Sequence, residues 1–511
     1  MQTQNLTIDK FLGLVTGRDE VNVPLGGTIS CAGMAVYPDN RVSRIPGLDD
    51  LGTVSGAEGA ITVSWADTFS SVEKLMIGMY DNSGVGKIRN LTDSADVTGP
   101  ALGSGEDGTL LSGIWSSTFY LGQRYVANGD DPIQVITGAT TRVNMPATTP
   151  PPTARLIQTY LGRLFVVGLD SNIVNYSDSL DVEFPTNNKL NIDEVPGSVT
   201  AMFINSPTSS AQTIVAELVF AKRGGLVKLS GDPADPSSSK DAVSQSVGCI
   251  SPMTPKNTDA GTLFLGIKGG RFSVYALRLG TAGEPVDIGQ ALYGILNDGN
   301  LQDVQLSTAV FHDGFYKLFL KRDGDIVEVW GDIRRFLEEQ VIIWYGVHQR
   351  GVKQSPLVLE NGELRVFEVI GGFGTHFREK TQRATGFVDA AGDTFTAELD
   401  IPLNVEPEFD NKSYDLLNLR IARESNVSGN AVTVTRYSEG VQIGTPVSFG
   451  LFVSAIDKGH NVKIPITGEN GASLSGRFAR VKVQQLTGVR LDIIKFEVQY
   501  LIPEDRKMKE P

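Results

Sequence analysis

One local pattern constrains this chain more than any other: a short apolar run, a polar turn rich in Gly, Asp and Asn, and a second apolar run. Residues 74–80 and 87–91 frame the first copy. Later copies pair 123–127 with 132–137, 163–168 with 173–177, and 217–220 with 226–230. Three more pair 262–266 with 272–277, 315–320 with 326–330, and 357–359 with 363–369. Each reads as a β-hairpin, because Asn-Gly, Gly-Gly and Asp-Gly pairs supply the positive φ that tight hairpin turns need. The turns recur every ~46 residues, and four-stranded propeller blades repeat every ~40–50. A sandwich would instead place turns every ~8–12 residues without a longer period. The spacing predicts an all-β fold led by a β-propeller of about seven blades, with six or eight also compatible. A single blade cannot bury both faces, so blades must stack in a ring, which also hides their edges.

Beyond residue 381 the runs lengthen and alternate, as in Val481-Lys482-Val483-Gln484 and Ile494-Lys495-Phe496-Glu497-Val498. Such runs predict a C-terminal β-sandwich. The expected organisation is an N-terminal arm at 1–28 that docks on neighbouring subunits, a propeller at 29–378 and a sandwich at 379–511. Residues 29–36 are expected to close the ring by pairing with the blade at 357–369, and 375–383 to connect the two domains. The one helix candidate is 332–340, ahead of a strand at 341–344. Pro150-Pro151-Pro152 reads as a rigid connector between blades.

Composition narrows the function. With 45 Lys and Arg against 59 Asp and Glu, the net charge is −14, the wrong sign for gripping phosphate backbones. Cys31 and Cys249 read as two buried thiols rather than a disulfide. Residues 1–14 lack the basic and apolar regions of a secretion signal, and no run reaches the ~18 apolar residues of a membrane span. The expected product is a soluble protein made in a cytoplasm.

Signatures of chemistry are sparse. His312, His348, His376 and His460 show no metal-ligand spacing. Gly84-Val85-Gly86-Lys87 lacks the first glycine and the hydroxyl residue of a phosphate loop, so it reads as a turn. Asn128-Gly129-Asp130-Asp131 and Asp323-Gly324-Asp325 could hold calcium, but Asp and Asn favour turns for backbone reasons alone. Propeller glycosidases need a carboxylate pair, and nothing singles one out. The reading is therefore a non-enzyme with no catalytic, cofactor-binding or metal residues. Trp65, Trp115, Trp330 and Trp344 are assigned to packing rather than sugar stacking.

Several stretches resemble the hub and nozzle proteins of short-tailed bacteriophage tails. Phe11-Leu12-Gly13-Leu14, Pro24-Leu25-Gly26 and Arg44-Ile45-Pro46-Gly47 are similar to that family's opening segment. Gly162-Arg163-Leu164-Phe165-Val166-Val167 with Asn175-Tyr176-Ser177 resembles one of its blades, and Leu218-Val219-Phe220-Ala221-Lys222 with Gly248-Cys249-Ile250-Ser251-Pro252 the next. Arg490-Leu491-Asp492-Ile493-Ile494-Lys495-Phe496-Glu497-Val498 resembles the closing strand of its sandwich domain. The resemblance implies a virion tail protein made in the host bacterium. It further implies a homo-oligomeric ring, six copies in the usual case, beneath the portal and adaptor. DNA would pass the ring without specific binding, and tail fibres could anchor on it. The alternative is a carbohydrate-binding or depolymerising propeller at a virion or cell surface.

Overall fold

The computed structural model describes residues 2–8, 11–16, 23–24, 27–36, 42–54, 61–81, 84–103, 114–206, 216–278, 283–334, 336, 342–350, 357–360, 363–370, 373–379, 396–403, 412–422, 431–438, 441–450, 460–465, 474–476, 479–485 and 492–502. The regular structure of the described residues is nearly all β, and helix among them is confined to single turns such as Tyr293–Leu296.

Seven small antiparallel sheets follow one another along the sequence, the first six within residues 61–96, 116–144, 156–191, 199–244, 247–287 and 301–348. In these six the predicted hairpin supplies the second and third strands of the sheet. Val72–Tyr80 pairs with Gly86–Asn90, Arg163–Val167 with Ile173–Tyr176, and Phe315–Arg322 with Asp325–Asp332. In the seventh sheet the hairpin is Leu357–Glu360 with Glu363–Ile370, at one side rather than the middle. Phe373–Glu379 comes next, and the outer strand is Leu48–Val54 from far upstream.

Strands from successive sheets touch. Ile61–Phe69 meets Ser116–Tyr120, which meets Leu156–Tyr160, which in turn meets Val199–Asn205. Asn257 Nδ2 of the fifth sheet donates to Ser206 Oγ beside the fourth at 3.4 Å. Lys256–Thr258 then meets Thr308–His312, which meets Leu357–Glu360, which returns to Ile61–Phe69. The seven sheets thus touch in a cycle. Packing between them is close enough to require glycine. A Cβ on Gly78 of the first sheet would lie 2.5 Å from the ring of Trp115, just ahead of the second. One on Gly248 would strike the carbonyl oxygens of Lys222 and Arg223.

Two further sheets hold both ends of the described chain. Asp492–Ile502 pairs along its length with Lys412–Ala422 on one side and Gln2–Ile8 on the other, and it also meets Val42–Arg44. The second of these sheets contains Ala397–Pro402, Ala479–Gln485 and Ala431–Ser438. Ala479–Gln485 buries every other residue, as its alternation predicts. Val481, Val434 and Leu399 share one core with Phe496, Val498, Ile8 and Val42, and that core continues into Phe315 and Trp330 of the sixth sheet.

Two expectations need correction. Residues 29–36 do not close the seven-sheet cycle. Met34–Val36 pairs with Val42–Arg44 in the sheet that holds Asp492–Ile502, and all three residues are buried. Closure falls to Leu48–Val54 on Phe373–Glu379, which also makes most of the supposed connector 375–383 a strand. Within the expected arm at 1–28, Gln2–Ile8 pairs with Asp492–Ile502 of the same chain. A run that is apolar at every position suits a site covered on both faces, whereas an outer strand tolerates Asp49, Asp50 and Gly52. Most of the helix candidate at 332–340 lies outside the described residues; its first residue ends a strand.

Leu48 packs with Val310 and Phe319 of the sixth sheet and Leu364 of the seventh. Leu48→Ala is expected to destabilise the protein by about 2–5 kcal/mol, the cost of an unfilled cavity. Asp130→Lys, in an exposed turn, should leave the melting temperature nearly unchanged. Equal shifts in thermal denaturation would contradict the closure assigned to Leu48.

Candidate functional site: an axial cavity and a buried charge cluster

A cavity of about 200 Å³ opens where strands of the sheets converge, and six of the seven contribute described wall residues. Val63 and Ser64 come from the first sheet, Ser116 and Ser117 from the second, and Leu156 to Gln158 from the third. Met202, Lys256 and Thr308 represent the fourth, fifth and sixth. Trp115, just ahead of the second sheet, adds an aromatic wall. The described lining is aliphatic, hydroxyl and amide in character, and its one ionisable side chain is Lys256. Burial lowers the Lys256 pKa from its ordinary value.

Charge is concentrated elsewhere, where the sixth and seventh sheets meet the N-terminal segment. Arg350 makes a two-pronged pair with Glu328, Nε to Oε1 at 2.8 Å and Nη2 to Oε2 at 2.7 Å. Its Nη1 donates to Glu379 Oε2 at 2.9 Å and to the Pro46 carbonyl at 3.1 Å. Lys317 Nζ donates to the other Glu379 oxygen and lies 4.0 Å from the centre of the Trp330 ring. Trp330 Nε1 donates to Glu328 Oε2 at 3.1 Å. Burial alone would raise the Glu379 pKa, but Lys317 and Arg350 together hold it well below the carboxylate range. Burial opposes the Arg350 charge too, and Glu328 and Glu379 more than offset that, raising its pKa.

His348 completes the cluster edge-on to Trp330, its ring centre 5.1 Å away. Its Nδ1 accepts the Gly33 N–H at 2.9 Å, a second tie to the N-terminal segment. Burial first, then the nearby Arg350 and Lys317 charges, push its pKa well below the ordinary value.

Residues weighed for chemistry in the sequence fall in other places. His312, Asp313 and Glu379 bring ligand atoms within 4.8 Å of one another, but a cation there would face Lys317 and Arg350, which already hold the Glu379 carboxylate. Asp131 spends its oxygens on the Gly103 N–H, at 3.0 Å, and the Asn128 amide, at 2.6 Å, so this turn is internally satisfied. Lys87 pairs with Asp81 at 3.0 Å across its hairpin rather than projecting into a phosphate cradle. Cys31 and Cys249 are free and buried, and burial pushes both thiols up to about 12. All four tryptophans are at most 3% exposed. The side chains of His376 and His460 lie outside the described ones.

No family model matches the chain, and no curated protein does. Among solved structures, the computationally designed Ika8 protein aligns with 65% of this chain and 99% of its own, at 12% identity and a TM-score of 0.34. A glycoside hydrolase covers 88% of this chain at 11% identity and a TM-score of 0.23, over 100% of its own length. The subtype N11 neuraminidase-like protein of A/flat-faced bat/Peru (H18N11) covers 69%, with 97% of its own chain, at 9% identity and a TM-score of 0.28. At such scores nothing these proteins do carries over to this chain.

Proposed function

We propose that the seven sheets are the blades of a β-propeller, that the two further sheets form a sandwich pinned to it, and that the protein is a non-enzymatic structural subunit. The observation that carries this reading is where the charge goes. Paired carboxylates in the heart of the chain are spent on holding elements together through Arg350 and Lys317, while the described wall of the axial cavity offers no acid for general acid–base work.

Combined with the sequence resemblance, the role follows as a hub or nozzle subunit of a short-tailed phage tail. It would assemble with copies of itself beneath the portal and adaptor. A net charge of −14 suits a wall that DNA must pass without sticking. The test is the state of the purified protein, alone and mixed with adaptor and portal, by light scattering and negative-stain microscopy. Closed rings that stack on the adaptor are expected, with no retardation of duplex DNA at about 150 mM salt. A persistent monomer that releases reducing sugar from host polysaccharide would sink the structural reading in favour of a depolymerase.

A further inference from the structure

We propose that the axial cavity is a binding site for a small oxyanion, a phosphate or a carboxylate, held by Lys256. The argument begins with the company Lys256 keeps. It opens a short strand of the fifth sheet and lines the cavity. Burial lowers its pKa, and no carboxylate among the described residues lines the cavity beside it. Elsewhere Lys317, Arg350 and Glu379, all deeply buried, are paired with one another or with Glu328; Lys256 is half-buried and lines open space instead. An ammonium that no described carboxylate neutralises attracts an anion wherever the groups around it limit its hydration.

The walls are built to complete such a site. Ser64, Ser116 and Thr308 contribute hydroxyl residues to the lining. Ser117 and the Gln158 side chain line the same space. A set of one ammonium with hydroxyl and amide donors matches the several acceptor oxygens of an oxyanion. A divalent cation would be repelled by Lys256, and an apolar ligand would leave these donors unsatisfied. At about 200 Å³ the space also has room for waters around a tetrahedral ion, each occupying ~30 Å³. The site lies on the axis of the seven-sheet cycle, so an ion there would touch several sheets at once and stabilise the closed ring. The inference rests on the cavity alone and stands whether or not the protein belongs to a phage tail.

The experiment uses the full chain. Thermal unfolding and tryptophan fluorescence are followed while inorganic phosphate, acetate or chloride is added at constant ionic strength. Phosphate or acetate near 10 mM is expected to raise the melting temperature by several degrees and to change the emission of Trp115, which lines the cavity. Whichever of the two acts identifies the source of the oxyanion. Lys256→Met should abolish both signals and Lys256→Arg should keep them. No response in the wild-type protein, a chloride response of equal size, or the same shift in wild type and Lys256→Met would overturn the proposal. Should Lys256→Met not fold, a Lys256→Arg protein without the wild-type response would overturn it equally.

Discussion

Arg350→Met is expected to cost about 3–5 kcal/mol of stability, which in a chain of this kind shows as a large fall in melting temperature or as loss of soluble protein. The side chain is wholly buried and satisfies three acceptors that belong to three separate parts of the fold: Glu328, Glu379 and the Pro46 carbonyl. Methionine fills much of the same volume, so the loss is not a cavity effect. It is the stranding of the Glu328 carboxylate away from water, together with the loss of one of the two cations that hold Glu379. That origin has its own signature. Adding Glu328→Gln to Arg350→Met removes one stranded charge and should recover part of the stability, so the two changes are non-additive. A single-variant cost under 1 kcal/mol, or strict additivity, would show that the cluster does not hold these sheets together.

Stability is also expected to fall in two stages as pH drops from 8 to about 2. His348 has its folded pKa well below 6.5, so the folded state stays neutral while the unfolded state takes up a proton below that value. Its contribution is complete above pH 6.5 and declines on acidification, by at most about 1.4 kcal/mol per pH unit. Glu379 has its folded pKa held below 4.5, so its contribution is present above 4.5 and is lost as pH falls toward the folded value. The signs agree, and the second decline adds to the first. His348→Gln, which keeps an acceptor for Gly33 N–H, should flatten the upper stage and leave the lower. Glu379→Gln should do the reverse. Melting curves across this range check both, and unchanged profiles would contradict the assignment.

The hairpins were legible in the sequence because their information is local. Asp323-Gly324 between two apolar runs dictates a turn whatever the rest of the chain does, and both residues have positive φ. Long-range pairings had no such signal. Leu48–Val54 carries two aspartates and a glycine, and its partner lies more than 300 residues downstream. The charge cluster left a faint trace. Lys317 interrupts Phe315-Tyr316-Lys317-Leu318-Phe319-Leu320, and Glu328 interrupts Val327-Glu328-Val329-Trp330. A charge inside an unbroken apolar run is surrounded on both faces, so it needs a buried partner. Lys317 stands directly opposite Trp330 in register, which no spacing rule reveals. Lys256 left no trace, since Pro255-Lys256-Asn257 reads as an ordinary loop.

The pairing of Gln2–Ile8 with Asp492–Ile502 fixes an order of events during synthesis. At about 5–20 residues per second, the first strand emerges roughly 25–100 s before its partner exists. Leu48–Val54 waits less long, because Phe373–Glu379 is made well before the last strand. The seven sheets can therefore join on the ribosome while Ile8, Met34 and Val42 still lack the strands that will cover them. A nascent chain paused near residue 400 should expose these apolar residues to holdase chaperones and to other nascent copies, and release of the final strand should end that exposure in one step.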